Sequence, residues 1–217
     1  MSTEDLIGRL SQDLAPVRRT LSPGWLATAW LALAAVVLGG AVTLLGARPD
    51  LMARLRVAYE VGQFGLSVVT GVLAAVAAAQ LAQPDRSWRW ALLPMPTLAA
   101  WLLILGFGCL QEYWRIGPAA MHVHESWICV RFILEVGAPL AAAQYWLLRH
   151  AGPVRPLPVQ LLGAVGSASL VSAALSLLHP LDTAVLILLW HGLALALAVL
   201  LGWAAGRWVM LRPLRAA

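Results

Sequence analysis

The sequence predicts an all-α, polytopic membrane helical bundle of six transmembrane helices, with N- and C-termini cytoplasmic. Three observations predict it. The first is composition: of 217 residues, 61% are hydrophobic and 12% charged, with a mean hydropathy of +0.79. A soluble domain carries about 45–50% apolar and about 25% charged residues, so this chain cannot cover its own surface with water-compatible groups. That excludes a soluble globular enzyme, a disordered regulator and a disulfide scaffold. The second observation is a set of six apolar stretches, each near the roughly 20 residues that cross a hydrocarbon core of about 30 Å. The third is where the arginines fall.

The stretches are Trp25–Gly46, Gly62–Ala82, Trp90–Leu110, Trp127–Leu148, Leu157–Leu178 and Thr183–Trp203. They divide the chain into a tail at residues 1–22, a bundle at 23–208 and a C-terminal tail at 209–217. The first stretch is no cleavable signal peptide, because it is too long, follows an acidic amphipathic tail and is followed by more spans. All the basic residues are arginine. With the N-terminus cytoplasmic, that side holds Arg9, Arg18, Arg19, Arg86, Arg89, Arg149, Arg155, Arg207, Arg212 and Arg215. The other side holds only Arg48, Arg54, Arg56 and Arg115, and excess arginine marks the cytoplasmic side. The net charge of +5 is therefore a matter of topology, and no direct nucleic-acid binding is expected. Trp25, Trp88, Trp90, Trp127 and Trp208 sit at span ends, where an indole keeps one edge wet and one face apolar.

The tail reads as an amphipathic helix. At about 100° per residue, Leu6, Ile7, Leu10, Leu14 and Val17 share one arc, with Glu4, Gly8, Ser11 and Gln12 opposite. Ser2 or Thr3 suits the N-cap, and Glu4 and Asp5 suit the first turn, where the helix dipole favours acids. Pro16 disfavours helix at Ala15, so the helix is expected to end near Leu14. So short a helix is marginal alone, and its stripe must find a surface. A helix lying on a membrane surface carries a basic polar face, whereas this one carries Glu4, Asp5 and Asp13 against Arg9. A groove on a cytosolic protein fits it better.

On the external side several coordinating side chains collect: Cys109, His122, His124, Glu125 and Cys129, with His179 and Asp182 in a tight turn before the last span. Thiolate with imidazole suits zinc, copper or another soft or borderline heavy metal, bound as a signal rather than as a required cofactor. A Cys109–Cys129 disulfide, formed in an oxidising compartment, is the competing reading, and both stay open. Arg131 and Glu135 lie four apart in the fourth span. Ionisable groups are costly in a bilayer, so this intramembrane ion pair is expected to point into the bundle.

The residues at this point resemble a family. The tail from Thr3 to Arg18, the R-P-D-L after the first span, the G-C near the end of the third, the S-W-x-C-V-R-F-I opening the fourth and the segment from Asp182 to His191 look like the NrsF family. These are six-helix anti-sigma factors of the bacterial inner membrane. The resemblance implies that the cytoplasmic tail sequesters an extracytoplasmic-function sigma factor, through Leu6, Ile7, Leu10, Asp13, Leu14 and Val17. It also implies that external cysteines take part in signal perception. Cys129 matches the first; where the family has its second, in a C-P turn, this chain has His179-Pro180. A metal site tolerates that change, because imidazole replaces thiolate as a ligand.

Other classes fit less well. No G-x-S-x-G elbow or H-E-x-x-H pair occurs, and His191 is the only histidine well inside a span, so no enzyme is expected. A small six-span transporter is the alternative. It would need polar groups at mid-membrane, for which only Arg131, Glu135 and His191 are available.

Overall fold

A computed structural model describes residues 3–12, 21–122, 127–149, 155–178 and 184–211, with the main chain alone at 9, 10, 12 and 208–211. All regular structure among these residues is helical. In chain order the elements are α1 (Thr3–Gln12), α2 (Pro23–Leu45), α3 (Leu51–Arg54), α4 (Ala58–Leu81), α5 (Met95–Ile116), α6 (Trp127–Leu148), α7 (Pro156–Leu178) and α8 (Ala184–Leu211). Short 3-10 turns, Trp88–Leu92 and Gly117–Met121, flank α5. Six helices are long and apolar enough to cross a membrane, as the composition requires.

Local chemistry sets the boundaries. Ser22 accepts a hydrogen bond from the Trp25 amide at 3.3 Å and Pro23 follows it in the first turn of α2, where a missing N–H costs nothing. The third apolar span covers Trp88–Met121 and so includes Trp90; within it Trp90 lies in a 3-10 turn and the α-helix starts at Met95, where Pro94 and Pro96 suit a first turn. The helix then runs six residues past Leu110 to Ile116, and Gly117 ends it at φ +68°. The second span begins four residues earlier than Gly62, at Ala58, and the last extends from Trp203 to Leu211. α1 covers the N-terminal part of the expected tail helix, and its expected end near Leu14 lies outside the described residues.

Successive spans alternate in direction, as hydrogen bonds at each end show. The Arg155 guanidinium donates to the Arg86 carbonyl, and Gln83 to the Leu21 carbonyl, at what is called here the tail end. At the far end the Arg48 amide donates to the Leu177 carbonyl at 2.9 Å and the Ala184 amide to Glu112 Oε2, also at 2.9 Å.

α7 is the hub, buried almost without a break from Val159 to Leu175. Its middle is built of Gly163, Ala164, Gly166, Ser167, Ala168 and Ser169. In lipid, where apolar tails compete with apolar side chains, close backbone approach between small residues is what holds helices together. α4 exploits this most. A Cβ on Gly71 would lie 2.5 Å from Leu170 Cγ and 3.1 Å from the Gly166 carbonyl oxygen. α2 is peripheral and mostly exposed, yet Trp30 is buried and its indole N–H donates to the Leu140 carbonyl of α6 at 2.9 Å.

Candidate functional site

The two ends of the bundle carry different chemistry. At the tail end stands α1, with Glu4 and Asp5 in its first turn and with Leu6 and Ile7 43% and 60% exposed. Leu6 and Ile7 are thus adjacent, exposed aliphatic side chains on a helix too short to be stable alone. Leu10 contributes helical backbone; Asp13, Leu14 and Val17 lie outside the described residues.

At the far end a polar network ties the loop after α2 to α4. The Arg48 side chain, buried beneath it, holds Asp50 with two parallel bonds, Nε to Oδ1 at 2.6 Å and Nη2 to Oδ2 at 3.0 Å. Arg54 Nε also donates to Asp50 Oδ2, at 3.1 Å, and its Nη1 reaches Glu60 at 2.8 Å. Gln63 Nε2 completes the chain on Glu60 at 2.9 Å. Forked arginine–carboxylate pairs fix geometry as well as charge. The Arg48 guanidinium, and after it Arg54, pulls the Asp50 carboxyl down to about 2. Asp50 in turn raises Arg54 above its ordinary value. This is the physical content of the R-P-D-L motif: Arg48 anchors the loop to α7 through its amide and to Asp50 through its side chain.

Beside the network a cavity of about 300 Å³ opens between the start of α4, the end of α5 and the start of α8. Tyr59 lies across Gly108, so closely that a Cβ there would fall 2.5 Å from the ring and hydroxyl. Only glycine leaves room for the ring. Glu112 caps α8 by accepting the Ala184 amide, one of the orphan donors of a helix start. The sequence reading missed Tyr59, Glu60, Glu112 and Arg115 as a group. The available signal was Tyr59-Glu60 opening one span and Gln111 to Arg115 closing another, polar residues at apolar borders that converge only once the spans pack.

The expected sensing residues are distributed differently. Cys109 is buried in the last turns of α5, beside Gly108. Cys129 is wholly buried in the apolar core cluster that includes Leu105, Val130, Leu186 and Trp190. No disulfide joins the two. His122 is exposed after the second 3-10 turn. His124, His179 and Asp182 lie outside the described residues. Among the described residues no group of three or more His, Cys, Asp or Glu side chains could hold a metal ion.

Arg131 and Glu135 do pair, Nε to Oε1 at 2.7 Å, but the expected inward orientation is wrong. Their side chains are 73% and 60% exposed on the outer surface of α6. The inner faces of α6 are filled by Cys129, Val130, Ile133, Gly137 and Leu140, which leaves the core no room for charge. The two groups neutralise each other within one helix, the cheapest solution open to an ion pair on an outward face.

The fold and these two ends define a six-helix, membrane-type bundle with an amphipathic helix at one end and a polar, cysteine-adjoining cavity at the other. The chain belongs to the NrsF family, described as negative regulator of sigma F, whose model matches residues 10–212. No curated protein and no solved structure matches it. The matched range begins inside α1, so Leu6 and Ile7 precede it. A negative regulator of a sigma factor has a sigma factor as its partner.

Proposed function

We propose that this protein is an inner-membrane anti-sigma factor that sequesters an extracytoplasmic-function sigma factor through α1 and releases it on an external signal. The carrying observation is α1 itself. In a chain whose family regulates a sigma factor, it presents exposed Leu6 and Ile7 on an acidic helix, suited to a groove on a soluble protein. Both termini are cytoplasmic in this reading, as the arginine distribution supports, and the far end is then external.

The signal is a heavy metal or an oxidant, received at the far end where Cys109, Cys129 and His122 fall and where the sequence also brings His124, His179 and Asp182. The described members of this set do not by themselves make a metal site, so a metal would depend on the last three. No catalysis is involved. Release needs only that sigma prefer the tail in one of two bundle states, since a signal shifts binding by its differential affinity for those states.

The test is replacement of Leu6, Leu10 and Leu14 by Glu in the full chain. Sigma-dependent transcription should switch on without signal. Continued repression, with the variant accumulating in the membrane, would refute groove docking.

A further inference from the structure

The far-end cavity has polar groups that the fold leaves incompletely satisfied. Arg54 is occupied by Asp50 and Glu60, and both Glu60 oxygens are bonded, one to Arg54 and one to Gln63. Glu112 is different: Oε2 caps α8, while its second oxygen has no partner among the described residues. Arg115, one turn further along α5 and lining the same cavity, makes no ion pair with Glu112 or with any other described carboxylate. The Tyr59 hydroxyl is sealed from solvent without a hydrogen-bond partner, and Glu60, Glu112 and Cys109 are the ionisable groups around it.

A half-buried carboxylate and an exposed guanidinium that share a cavity without meeting form a dipolar site, acidic within and basic at the rim. A free anion would face Glu60 and Glu112. A bare divalent cation would face Arg54 and Arg115. A molecule carrying both charges meets neither objection. At about 300 Å³ the space is at the small end of ligand pockets.

We infer that this cavity binds a small zwitterion of the α-amino-acid class, its ammonium on Glu112 and its carboxylate on Arg115. Each contact is a charge-assisted hydrogen bond, the stronger kind, and the Tyr59 ring, seated over Gly108, walls the cavity beside them. The inference rests on the cavity alone, and holds whether or not α1 binds sigma.

The test uses the full chain in lipid nanodiscs, with binding of each standard α-amino acid measured by equilibrium dialysis. At least one should bind saturably. For that one, the analogue amidated at the carboxylate and the analogue lacking the amino group should each bind about tenfold more weakly or worse. Glu112→Gln keeps an oxygen to cap α8 but loses the charge; it and Arg115→Gln should each weaken binding by about the same factor. Gly108→Ala, which displaces Tyr59, should weaken it as well, and Arg56→Gln, outside the cavity, should leave it unchanged. Unaltered thermal unfolding of the ligand-free variants shows that they are folded. Failure of every amino acid to bind would overturn the inference. So would an amide that binds as tightly as its parent, which marks a cation site, or a des-amino analogue that does so, which marks an anion site. Undiminished binding by both Glu112→Gln and Arg115→Gln would overturn it too.

Discussion

Gly71→Ala should destabilise the bundle more than Gly166→Ala, although the two glycines face each other across one helix crossing. The added Cβ at 71 would lie 2.5 Å from Leu170 Cγ, 2.8 Å from Leu170 Cδ2 and 3.1 Å from the Gly166 carbonyl oxygen. The first contact involves the branch point of Leu170 and the third is main chain, so neither yields by turning a flexible tip. The helices must part or Leu170 must leave its rotamer, an overpacking cost of about 1–3 kcal/mol. At Gly166 the added Cβ meets the Gly71 oxygen at 3.3 Å and Ala74 Cβ at 3.4 Å, so a shift of a few tenths of an ångström suffices and the cost should fall at the lower end of that range, about 1 kcal/mol. Alanine's better helix propensity offsets little in either case, because spans must remain helical in lipid even when they separate. The assay is equilibrium unfolding in mixed micelles, followed by tryptophan fluorescence. Leu170→Ala removes the obstructing branch, so the double variant Gly71→Ala/Leu170→Ala should be more stable than the two single costs together imply, by about 0.5–3 kcal/mol. Equal stability of the two glycine variants, or strict additivity with Leu170→Ala, would refute the close-contact reasoning.

Three further outcomes follow from the same structure. Alkaline phosphatase fused after Glu125 should be active and after His150 or Ala217 inactive; the reverse pattern would invert the proposed topology. Because pairing with Arg48 and Arg54 holds Asp50 at about 2, against about 3.9 for a free aspartate, the loop network is at full strength above the free value. It should loosen as pH falls from there towards 2, and Asp50→Asn should flatten that acid limb of the unfolding profile; an unchanged limb would remove Asp50 from the account. Among Cys109→Ser, Cys129→Ser and His179→Ala, metal sensing requires Cys129 and His179, whereas disulfide sensing requires both cysteines and spares His179. Full induction by metal and oxidant in all three would place signal entry elsewhere.

Hydropathy made the bundle legible because every span had to satisfy its backbone internally and face lipid or small-residue neighbours, a constraint that acts on each stretch separately. Helix ends were harder: Pro94 and Pro96 put one α-helix start five residues past Trp90, and the polar run from Gln111 to Arg115, read as loop, is helix. The Arg131–Glu135 pair was recognisable by its spacing, but not its direction, since which face of α6 looks inward depends on α7 and α8. The far-end cavity was invisible for the same reason. Gly108 and Glu112 share one face of α5, but Tyr59 and Ala184 are distant in sequence and reach them only by packing of α4 and of α8 against α5. α1 was readable from its stripe, because amphipathicity is a local property; what covers the stripe is not.

That question admits a direct measurement. Binding of the cognate sigma factor to the full chain in nanodiscs should be compared with binding to the variant Leu6→Ser/Ile7→Ser. Full burial of an aliphatic side chain contributes about 1.5–3 kcal/mol, and scaling this by the 43% and 60% still exposed in the free protein leaves about 1.5–3 kcal/mol for a partner to gain from the pair. The account predicts tight binding by the native chain and a loss of roughly ten- to a hundredfold in the variant. Equal affinity for both chains, with the variant correctly inserted, would contradict it.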